Sequence, residues 1–273
     1  MSESRYSLSD LLRVMERLRN PHGGCPWDLR QDFSTIVPST LEECYELVQA
    51  IEHEDSPHIA EELGDVLFQV VFYAQLGREK NLFCFDDIVD TLVKKLIRRH
   101  PHVFAQGQIE GVVSQTASVQ QVKASWEAIK HWERSARAQP GVLDDVPVAL
   151  PALPRAQKLQ KRAAAVNFDW PDAAAALDKL QEEVDELREA INARDVSAVA
   201  DEMGDVLFSQ VNVARLLGVD AETCLRRAAT RFEQRFRHME AAARDSGLAL
   251  DRMTATALDA LWESAKRDLH RDL

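Results

Sequence analysis

Glu183 and Glu186 stand three residues apart, and so do Glu202 and Asp205, in LQEEVDELREAI (180–191) and DEMGDVLFSQVNVA (201–214). On a helix, residues spaced by three look in nearly the same direction. A short break at Asn192–Asp195 lets the two helices pack antiparallel, so that four carboxylates can converge. Isolated in a cleft, they would repel and raise one another's proton affinity. A hard divalent cation removes that penalty. Magnesium takes oxygen ligands and often keeps water while bridging phosphates. Glu182 sits beside this set. It can orient or deprotonate water, or support a ligand from behind, and the sequence leaves both open.

A single Glu-x-x-Glu pair is ordinary solvated helix surface. Here the pattern occurs twice. Glu43 with Glu46 and Glu62 with Asp65 lie in LEECYELVQAI (41–51) and EELGDVLFQVVFYA (61–74), with the same separation of nineteen residues between the pairs. Downstream, Lys95 and Arg99 parallel Arg231 and Arg235, and Trp126 and Lys130 parallel Trp262 and Lys266. The offset is 136 residues there and 140 for the acids, a difference that a four-residue indel between helices explains. Independent charge runs do not keep such a register. We therefore expect two related helical domains, 1–138 and 152–273, joined by the Pro-rich stretch 139–151.

The elements that must position these residues read as helices throughout, so the expected fold class is all-α, two tandem helical bundles. Leu8, Leu11, Leu12, Met15 and Leu18 form one stripe. Further helices are expected over Leu41–Ile51, Ile59 to about Leu76, about Ile88 to Arg99 and Val119–Ala138. In the second half one starts near Pro171, capped by Asp169 or Asp172, and carries Leu177, Leu180, Val184, Leu187 and Ile191. Others cover about Val196–Leu217, Ala221–Ala243 and Thr254–Leu269.

A net charge of −12 argues against a broad nucleic-acid surface, though not against a local basic pocket. No apolar run is long enough to span a bilayer, and MSESRYSLSD lacks the pattern of a signal peptide. Four scattered cysteines, with no Cys-x-x-Cys, suit a reducing cytoplasm. There is no phosphate loop of the Gly-x-x-x-x-Gly-Lys kind, no Gly-x-Gly-x-x-Gly and no His-Glu-x-x-His. An acidic, magnesium-type site is what remains with positive support. A phosphate substrate needs cations on its far side. Arg231 and Arg235 share a helix face and can make forked contacts to phosphate oxygens, or else pair with acids such as Glu233. Trp262 can pack on a nucleobase or in a core, with Lys266 beside it. The constellation points to phosphoanhydride hydrolysis.

At these residues the sequence resembles the MazG family of nucleoside triphosphate pyrophosphohydrolases. The likeness runs through GCPWD (24–28), TLEECYELVQAI (40–51), EELGDVLFQVVFYAQ (61–75) and RRHPHVF (98–104). It continues through RAQKLQKR (155–162), NFDW (167–170), EEVDEL (182–187), DEMGDVLF (201–208), RFEQRF (231–236) and LWESAK (261–266). The resemblance implies an all-α homodimer that uses magnesium to cleave ribo- and deoxyribonucleoside triphosphates between the α and β phosphates. It makes the C-terminal domain the main catalytic unit, with Glu183, Glu186, Glu202 and Asp205 as metal ligands and Arg231, Arg235, Trp262 and Lys266 on the nucleotide. Two positions depart from the family pattern: Arg231 and Ala198 both stand where it has lysine. The N-terminal set, Glu43, Glu46, Glu62 and Asp65, is a second expected metal site, compatible with a catalytic, a regulatory or a structural role. Two other readings fit the same bundles: a nucleotide-sensing or dimerisation protein without turnover, and an enzyme narrow for a uridine or modified nucleotide.

Overall fold

The computed structural model describes residues 5–111, 118–122, 125–126, 129, 133 and 141–269. The described residues contain helices and no strand, as the all-α reading expects. The chain divides into two compact units, Met1–Glu133 and Arg134–Leu273. No described helix is long and apolar enough to cross a membrane.

The first unit contains α1 (Leu8–Leu18), α2 (Val37–Glu52), α3 (Ser56–Glu79) and α4 (Phe85–Arg99). The α2 and α3 helices form its main antiparallel pair, and α1 and α4 pack on α3. Met15, Ile36, Val71, Phe72 and Leu76 make the core, with Phe33, Phe68 and Tyr73 against it. Each large buried side chain contributes about 1.5–3 kcal/mol. Beside this core, Arg19 donates to both carboxylate oxygens of Glu79, at 2.8 and 2.6 Å, and to the Asp28 and Gln31 carbonyls. It thereby fastens the loop that carries GCPWD. Of the helix expected over 119–138, the described residues 119–122, 125, 126, 129 and 133 are helical. Glu133 accepts hydrogen bonds from Arg98 and Arg99 at the end of α4.

The second unit contains α5 (Ala152–Ala164), α6 (Ala173–Ala193), α7 (Val196–Leu216), α8 (Ala221–Asp245) and α9 (Ala255–Leu269). The α6 and α7 helices pair, α5 packs on α7 and α8, and α9 lies on α8. Its buried residues are largely alanine, including Ala176, Ala190, Ala243 and Ala265, joined by Val206, Val211 and Met239. Small side chains let the helices approach closely. The larger apolar groups Leu177, Ile191, Met203, Leu207 and Phe208 are left exposed.

Asp172, not Asp169, caps α6 by accepting from the Ala175 N–H at 2.9 Å. Pro171 therefore lies ahead of the cap rather than in the first helical turn. Asp169 instead receives Arg215 of α7 at 3.1 Å. That bond ties the NFDW loop to the helix bearing Glu202.

The turns within the two principal helix pairs are built alike. Glu54 and Arg194 adopt left-handed φ of 56° and 57°. The following residues, Asp55 and Asp195, donate back to the Ala50 and Ala190 carbonyls at 3.3 and 3.2 Å, and their side chains cap the next helix. The repeat inferred from spacing is thus repeated in backbone conformation.

Gly77, within α3, has a packing reason. A Cβ there would lie 2.5 Å from the Phe83 ring and 2.7 Å from its carbonyl oxygen. An exposed Gly→Ala change in a helix stabilises by about 0.8–1.0 kcal/mol. Here the sign should reverse: Gly77→Ala should cost about 1–3 kcal/mol in urea unfolding, and a raised unfolding midpoint would contradict this packing.

Candidate functional site

The α6 and α7 helices bring Glu183, Glu186 and Glu202 together. One carboxylate oxygen from each lies within 4.8 Å of the others. Glu183 is buried at 7% exposure, Glu202 is half-buried and Glu186 is exposed. Desolvation pushes the Glu186 proton affinity up, Lys179 opposes it, and Glu183 and Glu202 raise it further. Like charges are thus held close, as the spacing requires. Asp205, one turn beyond Glu202 on α7, is exposed and stands outside this trio. Glu182 is on the rim, 3.1 Å from Lys179.

Lys179 was not singled out by the sequence pattern. Its Nζ lies 3.0 Å from Glu183 and bridges to Glu182. The hydrogen bonds it donates to those two acids, Glu183 first, raise its own pKa. Its position four residues before Glu183 was the available signal, since an i,i+4 pair shares a helix face. Among the described residues, the Lys179 ammonium is the one cation held against the trio.

The N-terminal acids repeat the arrangement. Glu43, Glu46 and Glu62 offer oxygens within 4.8 Å of one another, and Asp65 is exposed outside the group. Burial raises the Glu43 pKa, followed by the charges of Asp65, Glu46 and Glu62. Glu62 is 6% exposed. One of its oxygens lies 2.7 Å from His58 Nε2, and the other is buried with no hydrogen-bond partner. His58 holds the repeat position of Ala198, and Ser39 that of Lys179. Each unit therefore sets one basic group against its acids, from opposite helices of the pair.

These donors fit a hard divalent cation. All are carboxylate oxygens, they converge from two helices, and in the N-terminal unit one buried oxygen lacks any other partner.

The cationic residues gather on α8 and α9. The Arg235 guanidinium lies 5.8 Å, and Lys266 Nζ 6.0 Å, from the centre of the Trp262 ring. Phe232 packs beside Trp262 at 5.4 Å. Lys266 also meets Glu263 at 2.6 Å. Glu233 pairs with Arg237 rather than with Arg231 or Arg235. Arg231 is exposed and makes no hydrogen bond or ion pair among the described residues. In the N-terminal unit Arg99 is paired with Glu133, and Trp126 packs edge-on against His100 at 5.0 Å. Lys95 is half-buried, and Lys130 lies outside the described residues.

Comparison with known proteins matches the regions of both acidic sets to one family. The MazG nucleotide pyrophosphohydrolase domain is found at residues 31–104 and again at 172–240. A nucleoside triphosphate pyrophosphohydrolase of Escherichia coli K12 is 47% identical over 261 residues, covering 94% of this chain and 96% of that protein. The nucleoside triphosphate pyrophosphohydrolase/pyrophosphatase MazG of Thermotoga maritima is 41% identical over 266 residues, 97% of this chain and 98% of that protein. A nucleoside triphosphate pyrophosphohydrolase of Mycolicibacterium smegmatis is 32% identical over 229 residues, 79% of this chain and 67% of that protein. With the domain matched twice and the likeness running along nearly the whole chain, this protein belongs to the MazG family.

Proposed function

We propose that the protein is a nucleoside triphosphate pyrophosphohydrolase that cleaves ribo- and deoxyribonucleoside triphosphates between the α and β phosphates. The products are a nucleoside monophosphate and pyrophosphate. The observation that carries this reading is the convergence of Glu183, Glu186 and Glu202 from two helices. The relatives named above for this activity support it. We take the domains as 1–138 and 152–273, with 139–151 between them, and the C-terminal one as the catalytic unit.

Glu183, Glu186 and Glu202 would hold magnesium, with Asp205 completing the set by rotation of its exposed side chain. Bound there, the cation would offset phosphate charge and lower the pKa of water. Arg231, Arg235 and Lys266 hold the phosphate tail by charge-assisted hydrogen bonds. Trp262 offers its ring to the base. Glu182 orients the attacking water. That water adds to one phosphorus of the α–β bridge, the bridging P–O bond breaks, and pyrophosphate or monophosphate leaves with the bridging oxygen. Lys179 keeps the acids together before the cation arrives, then can turn to the phosphates in place of the lysine absent at Ala198.

Pyrophosphate, not single phosphate, should appear in step with monophosphate, and only with a divalent cation present. Glu186→Gln should lower kcat by about 10²–10³ with helical circular dichroism unchanged. Single-phosphate release, or full turnover by that variant, would overturn the reading. Nucleotide binding without any turnover in the wild type would favour a sensor instead.

We also propose a homodimer. Leu177, Ile191, Met203, Leu207 and Phe208 are too large an apolar set to leave in water. Gly204, between Met203 and Asp205, has nothing within 4 Å of where a Cβ would stand, which leaves room for a close neighbour. Leu207→Glu should shift sedimentation from dimer to monomer; a wild-type monomer at micromolar concentration would contradict it.

A further inference from the structure

The two units differ in the cationic half of their sites. At the end of α4, Arg98 Nε donates to Glu133 Oε1 at 2.9 Å and Arg99 Nε to the same oxygen at 3.3 Å. A second Arg99 nitrogen takes Oε2, so both carboxylate oxygens are used. The Glu133 side chain is only 8% exposed. Arg99 first, and then Arg98, hold its carboxyl down at about 2 against the desolvation that opposes them.

The repeat gives the comparison. At the offset of 136 residues, Arg99 corresponds to Arg235, but Arg98 corresponds to Gln234 and Glu133 to Leu269. Arg235 has no hydrogen bond or ion pair to a carboxylate among the described residues and lies over Trp262. The aromatic counterpart, Trp126, meets His100. One unit thus presents its arginine; the other has it clasped.

We propose that Glu133 is a built-in counter-anion occupying the phosphate-binding place of the N-terminal unit, which keeps its acidic half but is closed to triphosphates. The proposal rests on the reading of Arg235 as a phosphate contact. A carboxylate held by two guanidiniums makes the same forked bonds a phosphate would. Being tethered, it competes at a high effective concentration. A triphosphate must displace it and leave a buried carboxylate unpaired, at a large desolvation cost. The acidic half carries no such block, because one buried Glu62 oxygen still lacks a partner.

The test is the number of nucleotides bound per full-length chain, by equilibrium dialysis with a triphosphate carrying a methylene group in place of the α–β bridging oxygen, in magnesium. Wild type should bind one and Glu133→Leu two. Because removing one partner of a buried pair can destabilise the fold, the double variant Arg98→Gln/Glu133→Leu should be measured too. It reproduces the trio Gln234, Arg235 and Leu269, and should also bind two with wild-type helical content. Adding Arg235→Ala to either should return the number to one. Two nucleotides on the wild type, or one on the folded Glu133 variants, would overturn the proposal. No binding by any of them would instead overturn the triphosphate reading itself, and this inference with it.

Discussion

The structure is organised around the cost of holding like charges together. Three carboxylates within 4.8 Å, one of them buried, repel wherever no cation intervenes. Such an arrangement persists only if the helices that impose it are well anchored and something positive offsets it. The anchoring comes from the α6–α7 pair, its left-handed turn at Arg194 and the cap at Asp195. The offset within the chain is Lys179, and it is partial: desolvation first, and then the charges of Glu183 and Glu202, still leave the Glu186 pKa raised. A divalent cation is the chemistry that completes it.

The repeat shows what has been kept and what has changed. The acids, the turn and the cap stand at the same register in both units. The basic groups facing them do not. His58 approaches Glu62 from α3, whereas Lys179 approaches Glu183 from α6. On the far side, Arg99 is spent on Glu133 while Arg235 remains over Trp262. Helix geometry fixes the acidic half, because residues three apart on a helix share a face and the faces of two paired helices meet. No such geometry fixes the cationic half, so it is where the two units have diverged.

That distinction also explains what could be read without coordinates. The helices, the pairing of α6 with α7 and the trio Glu183, Glu186 and Glu202 follow from period and spacing. Helix ends were less legible. Asp169 and Asp172 are both good caps by type, and only packing assigns Asp169 to Arg215 and leaves Asp172 to close α6. Lys179 was legible in principle, four residues before Glu183, but surface lysines at that spacing are common. The Glu133 clasp joins residues more than thirty apart, and no local pattern announces such a pair. Asp205 shows the limit of register: it keeps the repeat spacing, yet its exposed side chain lies outside the trio that converges.

On this reading the α6–α7 acids form a cation site. Manganese is a close mimic of magnesium and scatters anomalously, so crystals grown with it test the claim directly. An anomalous peak should appear, bonded to carboxylate oxygens of Glu183, Glu186 and Glu202. Well-ordered density for all three side chains with no peak between them, at saturating manganese, would contradict it.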